Sequence, residues 1–368
     1  MRKRLIIKNT VSSIIFQITA VICGFVLPRL ILSHFGSEVN GLVSSITHFL
    51  QIIAFLELGI GAVVQSSLYK PLAVNDIIKV SEIVASANKF FKKLAGILAV
   101  YIIILILVFP HISYSDFNCM YTATLIMAIS ISFFSQYYFG VVDSLLLTAN
   151  QHGYIQYNAQ TITLILNTIA CVVLINLDAS IQIVKLATSV IFLGRPLFLR
   201  LYVNKHYEID RNLAYIGEPI KQKWNGVAQH IAVIAMDNVP VIVLTLFATL
   251  TDVSIYSVYC LVIMGIRQLV IVATGGISPL IGNLWAKQEL DELKKVFSWT
   301  EWIIHTGVVF LFGCTSILII PFISVYTSSI IDANYLQPLF AVVLVFAHAG
   351  RCLRLPYNIL ILAGGHHL

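Results

Sequence analysis

The chain has 368 residues, 58% of them hydrophobic and 11% charged, with a net charge of +6 and a mean hydropathy of +0.90. A soluble globular domain carries about 25% charged residues, so this chain cannot cover its own surface in water, and a soluble enzyme or a nucleic-acid-binding domain is excluded. What remains is an integral membrane protein.

The N-terminus, MRKRLIIK, is basic and leads into an apolar run from Thr10 to Leu32. That run is too long for a signal-peptide core and has no small-residue cleavage site, so it is read as a retained first helix. A spanning helix needs about 20 mostly apolar residues. Further stretches that qualify are roughly 40–67, 94–112, 120–147, 155–176, 180–203, 225–249, 254–281, 302–322 and 339–362. Barrel strands are shorter and alternate in polarity. The expected fold class is therefore all-α integral membrane, with about ten transmembrane helices.

Lys and Arg in the connections set the orientation. They collect at the N-terminus (Arg2, Lys3, Arg4, Lys8) and in the second, sixth and eighth connections (Lys70 to Lys93, Lys205 to Lys223, Lys287 to Lys295). The odd-numbered connections, around Ser37, Ser115, Asp178, Asp252 and Asp332, have none. The N-terminus and the even loops are expected in the cytoplasm, in a cytoplasmic membrane. Within the second connection, DIIKVSEIVASANKFFKKL (76–94) puts Ile77, Val80, Ile83, Val84, Ala87 and Phe91 on one helical face. It reads as an interfacial amphipathic helix lying on anionic membrane lipid.

An internal repeat runs at a spacing of about 215 residues. YKPLAVNDIIKV (69–80) answers WAKQELDELKKV (285–296), and SEVNGLVSSI (37–46) answers TDVSIYSVYC (251–260). A six-helix unit starts both copies on one side, which makes the repeat parallel. The expected domains are 1–203, a first six-helix lobe; 204–224, a cytoplasmic linker; and 225–368, a second lobe with four helices present.

Polar stripes mark the spans. Asn9, Ser13 and Gln17 share a stripe in the first, with Ser44, His48 and Gln51 in the second and Asn225, Gln229 and then Asp237 in the seventh. Spacings of three and four put side chains on one face, and that face either lines a wet cavity or bonds a neighbouring helix. Gln268 is a further cavity candidate. Among charges, Arg29, Lys185, Arg195 and Arg200 lie near enough to span ends to snorkel. Arg267 does not: about thirteen residues at 1.5 Å each put it near 20 Å from either surface. Arg351 and Arg354 share a face of the tenth span, and Glu57 and Asp143 are acids within spans. Two readings of Arg267 stand open. One is a buried ion pair with Asp237. The other is a cationic cleft for an anion, in which an Arg fork binds two phosphate oxygens at once.

No catalytic constellation competes. There is no GxxxxGK[ST] and no HExxH, the six cysteines sit at no metal-ligand or CxxC spacing, and no cofactor or metal is expected. GIG (59–61) and GG (275–276) read as close helix contacts.

FLELGIGAVVQSSLYKPLAVND (55–76), DVSIYSVYCLVIMGIRQLV (252–270) and RLPYNILILAGGH (354–366) resemble the bacterial oligosaccharide-lipid flippases. These are the Wzx-type polysaccharide transporters of the MOP superfamily, which also holds the MATE multidrug exporters. The resemblance runs the whole chain. It implies two lobes working by alternating access and moving undecaprenyl-diphosphate-linked oligosaccharide, alongside other polysaccharide assembly proteins. It also implies a cationic cavity, for which Arg267, Arg351, Arg354, Arg29 and Lys185 are the candidates here. Asp237 and Glu57 are the candidates for coupling movement to an ion. Family members have twelve or more helices, so an incomplete second lobe and C-terminal truncation are expected. The alternatives are a multidrug or cation antiporter of the same superfamily, whose cleft should be dominated by acids, and an inactive membrane fragment.

Overall fold

A computed structural model describes residues 2–57, 59–113, 117–211, 213, 215, 220, 227–274 and 277–363; at 2, 3, 6, 227–230, 273, 278, 279, 286, 362 and 363 it describes the backbone alone. Every regular element among the described residues is helical. Eight helices are long and apolar enough to cross a membrane, and Ile231–Phe247 is a shorter apolar one. The chain is an all-α, multi-pass membrane protein. The ten expected spans fit these helices because the first two are joined. α1 (Arg2–Gln51) is two helices meeting at Gly36, whose φ of 84° and ψ of 175° are not helical and are open to glycine at little steric cost.

The chain packs as two compact units, Met1–Val253 and Ser254–Leu368. In the first, α1 is followed by a 3-10 turn (Ile52–Glu57), α2 (Ile60–Ala73), α3 (Ile77–Ile112), α4 (Cys119–Ser135), a π segment (Gln136–Gly140), α5 (Val141–Ala149), α6 (Gly153–Asn176), α7 (Ile181–His206) and α8 (Val227–Phe247). Its core includes Leu42, Ile46, Leu50, Leu98, Phe109, Leu125, Ile126 and Leu199, all fully buried.

The amphipathic stretch 76–94 is not an interfacial helix. It is the first half of α3, capped where the Asp76 side chain accepts from Lys79 N at 2.9 Å. Val80, Ile83, Val84, Ala87 and Phe91 are buried in the unit's core. An apolar stripe at helical spacing suits a lipid surface or a protein neighbour equally, and here the neighbour is protein. At 1.5 Å per residue α3 is about 54 Å long, well beyond a hydrocarbon core of about 30 Å.

α1 and α8 are joined by a polar seam. Thr245 Oγ1 donates to Ser45 Oγ at 2.7 Å, and His48 Nδ1 lies 2.8 Å from Asn238 Oδ1. At Gly41 the approach is so close that a Cβ would sit 1.8 Å from the Leu250 carbonyl oxygen, so no other residue fits there. Gly41, Ser45 and His48 follow the four-and-three spacing of one helix face.

The second unit holds the rest of α9 (Leu250–Thr274), then α10 (Ile277–Ala286), α11 (Leu290–Tyr326), α12 (Pro338–Leu353) and α13 (Leu355–Ala363). The connection after α11 is tied down by Tyr259, which has no exposed surface. Its hydroxyl donates to Tyr335 O at 2.7 Å and accepts from Gln337 N at 3.0 Å. The tenth span breaks between α12 and α13 ahead of Pro356, which has no N–H to continue the ladder. His305 Nε2 lies 3.1 Å from the Leu353 carbonyl at that break.

Among the described residues, four helices end on the same turn. Asn75, Gln151, Asp178 and Gln288 have φ of 55°, 60°, 55° and 60°. Each is followed by a residue whose N–H reaches back five positions: Asp76 to Pro71, His152 to Leu147, Ala179 to Leu174 and Glu289 to Leu284. This is the Schellman arrangement, usually built on glycine. The turns at Asn75 and Gln288 share every such bond at an offset of 213, in keeping with the repeat read from sequence.

Candidate functional site

The first unit contains a cavity of about 390 Å³ walled by four elements. α1 contributes Thr47, α4 and the π segment contribute Ser132, Phe133 and Gln136, and α7 contributes Lys185, Thr188, Phe192 and Arg195. No carboxylate is among its lining residues. Ten residues separate the two cations on α7, about 15 Å along the axis, so one stands toward each end of the cavity.

Local geometry explains how the cations are presented. π segments are single-turn irregularities that recur at functional sites. This one aims Gln136 at α7, where its Oε1 accepts from Arg195 Nη2 at 2.6 Å. The register depends on Gly140: a Cβ there would come within 2.8 Å of Pro196 Cβ and 3.0 Å of Gln136 Oε1. Arg195 is thus half-buried and anchored, not free to snorkel as its position in the sequence suggested. Lys185 has no hydrogen-bond or ion-pair partner among the described residues, and its ammonium offers three donors to the cavity. The wall hydroxyls are occupied as donors: Thr47, Ser132 and Thr188 bond carbonyls of their own helices at 2.7, 3.0 and 3.0 Å. Any anion in this space would be held by the two cations.

The second span breaks nearby. Its 3-10 turn ends at Glu57, and Gly59, with φ of 70°, opens α2. The GIG glycines therefore do more than allow close contact, since Gly59 takes a backbone angle that favours glycine. A Cβ on Gly61 would lie 2.9 Å from Glu57 Oε1. Glu57 is within electrostatic reach of Tyr137 in the π segment.

Asn9 staples α1 to the turn between α5 and α6: its Nδ2 donates to Gln151 O at 2.8 Å, and its Oδ1 accepts from Tyr154 N at 2.7 Å. It caps α6 from another helix, because the residue in the capping position, His152, makes no such bond. Gln17 and Gln51 are half-buried on α1, and Arg29 is exposed there. His48 lies in the seam with α8, within electrostatic reach of Asp237. In the second unit, Arg267 and Arg351 both lie within electrostatic reach of the Cys352 thiol, so the structure brings these two cations to one neighbourhood. Gln268 is half-buried beside Arg267 on α9, and Arg354, at the break after α12, is exposed. Asn225, the side chain of Gln229 and the GG pair at 275–276 lie outside the described residues. Asp237 belongs to the first unit and Arg267 to the second.

Sequence reasoning missed Gln136 and set Arg195 aside. The available signal was depth: Arg195 lies eleven residues from the end of α7, about 16 Å at 1.5 Å per residue.

A second cleft lies between α6 and α7. It measures about 470 Å³ and is lined by Tyr154, Ile155, Asn158, Ala159, Ile162, Thr163, Gly194, Phe198 and Tyr202, with Arg195 again in its wall.

No family model and no curated protein matches the chain. Solved structures do. The Vibrio cholerae MATE transporter VcmN, in a bent form, superposes with a TM-score of 0.66 at 12% identity, over 99% of this chain and 84% of that one. A MOP superfamily transporter from Pyrococcus furiosus, described as having a binding pocket of reverse polarity that suggests a different function, gives 0.60 at 15%, over 99% and 86%. The MATE multidrug transporter DinF-BH, in a ligand complex, gives 0.59 at 13%, over 99% and 86%. The chain therefore has the fold of the MATE-type transporters of the MOP superfamily.

Proposed function

We propose that the chain is a transporter of the cytoplasmic membrane, N-terminus inside, that moves undecaprenyl-diphosphate-linked oligosaccharide to the outer leaflet by alternating access. The observation that carries this reading is the first-unit cavity, which has Lys185 and Arg195 in its wall and no carboxylate. A cation at membrane depth costs about 2.5–3.5 kcal/mol on insertion scales. Two of them lining one space without an acid favour an anionic occupant. A diphosphate supplies the charge, and the Arg fork can take two of its oxygens. Arg267 and Arg351 form the second cationic group in this reading. The fold accommodates such a change of polarity, as the Pyrococcus furiosus neighbour is described as showing. Proteins that build and polymerise the glycan are the partners this function requires.

A second reading, a cation or drug antiporter, draws on two of the acids outside the cavity lining, Asp237 by His48 and Glu57 by Tyr137. Transport in proteoliposomes separates them. With a fluorescent polyprenyl-diphosphate oligosaccharide, wild type is expected to translocate the lipid, and Lys185→Gln and Arg195→Gln each to slow it about tenfold or more, or about 1.4 kcal/mol. Translocation of a cationic rhodamine dye with no lipid movement would replace this reading by the antiporter. Movement of neither, by inserted and folded protein, would leave an inactive chain.

A further inference from the structure

We infer that the cleft between α6 and α7 seats the hydrocarbon chain of the lipid-linked anion, with Arg195 at the junction of head and tail. The inference rests on the anionic-lipid reading above and extends it to the part of the substrate that reading leaves unplaced.

Three observations carry it. First, Arg195 lines both the cleft and the cavity that holds Lys185. Arg195 thus belongs to the walls of both a compartment that holds a second cation and a largely apolar one, which is the sequence of chemistries in a lipid phosphate. Second, the cleft's walls are mostly carbon. Ile155, Ala159 and Ile162 on α6 face Phe198 on α7, and the Thr163 hydroxyl donates to Ala159 O at 2.9 Å. Ile162 is 58% and Phe198 48% exposed, so a chain that remains in the bilayer can enter from the side. Third, the gap is kept open at Gly194. A Cβ built there meets nothing within 4 Å, so a larger side chain would fill the cleft before it touched a neighbour.

Charge argues for a polyprenyl diphosphate over a bulk phospholipid. Two cations and no carboxylate line the cavity that shares Arg195 with the cleft. A diphosphate on a single chain brings more negative charge to that cavity than a phosphodiester, which carries one negative charge and brings two chains.

The test is equilibrium binding to the full-length protein in lipid nanodiscs, with three probes: a polyprenyl diphosphate, inorganic pyrophosphate and phosphatidylglycerol. Gly194→Phe closes the cleft from α7, and Ile162→Trp closes it from α6 at a half-exposed site that tolerates bulk. Each is expected to weaken the polyprenyl diphosphate about tenfold or more, with pyrophosphate binding held at the wild-type level. Should both closed variants bind the polyprenyl diphosphate as wild type does, the chain lies elsewhere and the inference is wrong. It is equally wrong if phosphatidylglycerol competes as well as the diphosphate lipid, because the cleft is then a bulk-lipid groove. If wild type binds neither diphosphate, the anionic reading of the cavity itself falls, a different failure visible in the pyrophosphate arm.

Discussion

Tyr259 shows how a single buried hydroxyl fixes a connection. Its oxygen both donates to Tyr335 O and accepts from Gln337 N, and its ring meets Phe340 edge-on at 5.3 Å and 85°. Removing it leaves the buried Tyr335 carbonyl without its donor, which costs about 1–3 kcal/mol, and releases the part-buried bond from Gln337 N. Tyr259→Phe preserves the packing and isolates that loss. We expect about 2 kcal/mol of destabilisation, read as a drop of several degrees in Tm in detergent micelles; an unchanged Tm would mean that water replaces both bonds. His152 makes a comparable case with a pH signature. Asn150 Nδ2 donates to Tyr207 Oη at 2.9 Å, and that oxygen lies 3.2 Å from His152 Nδ1. Burial, and then the nearby Lys8 charge, hold the His152 pKa below 6.5. A histidine whose pKa is lowered on folding takes up protons more readily when unfolded. Stability is therefore full above pH 6.5 and declines as pH falls below it through the folded value. Wild type should lose more Tm than His152→Gln between pH 7.5 and 5; equal losses would remove His152 as the cause.

At the scale of elements, the repeated helix exit is the most transferable feature. Among the described residues, four helices turn through a left-handed residue that is not glycine. A left-handed conformation costs an L-residue about 1 kcal/mol or more, while glycine gives back part of that through its freer unfolded chain. Gln151→Gly keeps the backbone carbonyl that Asn9 uses and is expected to raise stability by about 0.5 kcal/mol. Gln151→Val, which is β-branched, should lower it. Matched unfolding curves check the pair, and a destabilised glycine variant would show that the Gln151 side chain contributes. These elements also mark how much could be read in one dimension. Span positions were legible because a run of apolar residues needs no partner to be recognised, and the joint near Ser37 appears as the turn at Gly36. The break at Glu57 to Gly59 was not legible, since GIG inside an apolar run reads as a packing site until its backbone angle is known. Nor was the fate of 76–94, because the same stripe faces lipid or protein.

For the whole molecule, the missing information was always the identity of a distant partner. Spacing put His48 on a polar face, yet it could not say that Asn238, 190 residues away, completes it. It put Asn9 on a stripe without revealing Gln151 and Tyr154. Arg195 looked like an end residue because the bond to Gln136, 59 residues earlier, is invisible in sequence. Composition and the positions of the apolar runs are properties of short stretches and survive such ignorance; a binding cavity is a meeting of segments and does not. That is why the fold was legible while the Lys185 and Arg195 cavity was legible only as two separate cations.

The length of α3 has a mechanical consequence. About 24 Å of it exceeds the hydrocarbon thickness, and this overhang is packed into its unit through Val80, Ile83, Val84 and Phe91. It therefore turns with that unit as a rigid pointer. Tilting the unit by about ten degrees would sweep the tip through about 4 Å, for an arm of that length. A spin label at Lys79, half-exposed on the pointer, would amplify rotations that are barely measurable at the bilayer midplane.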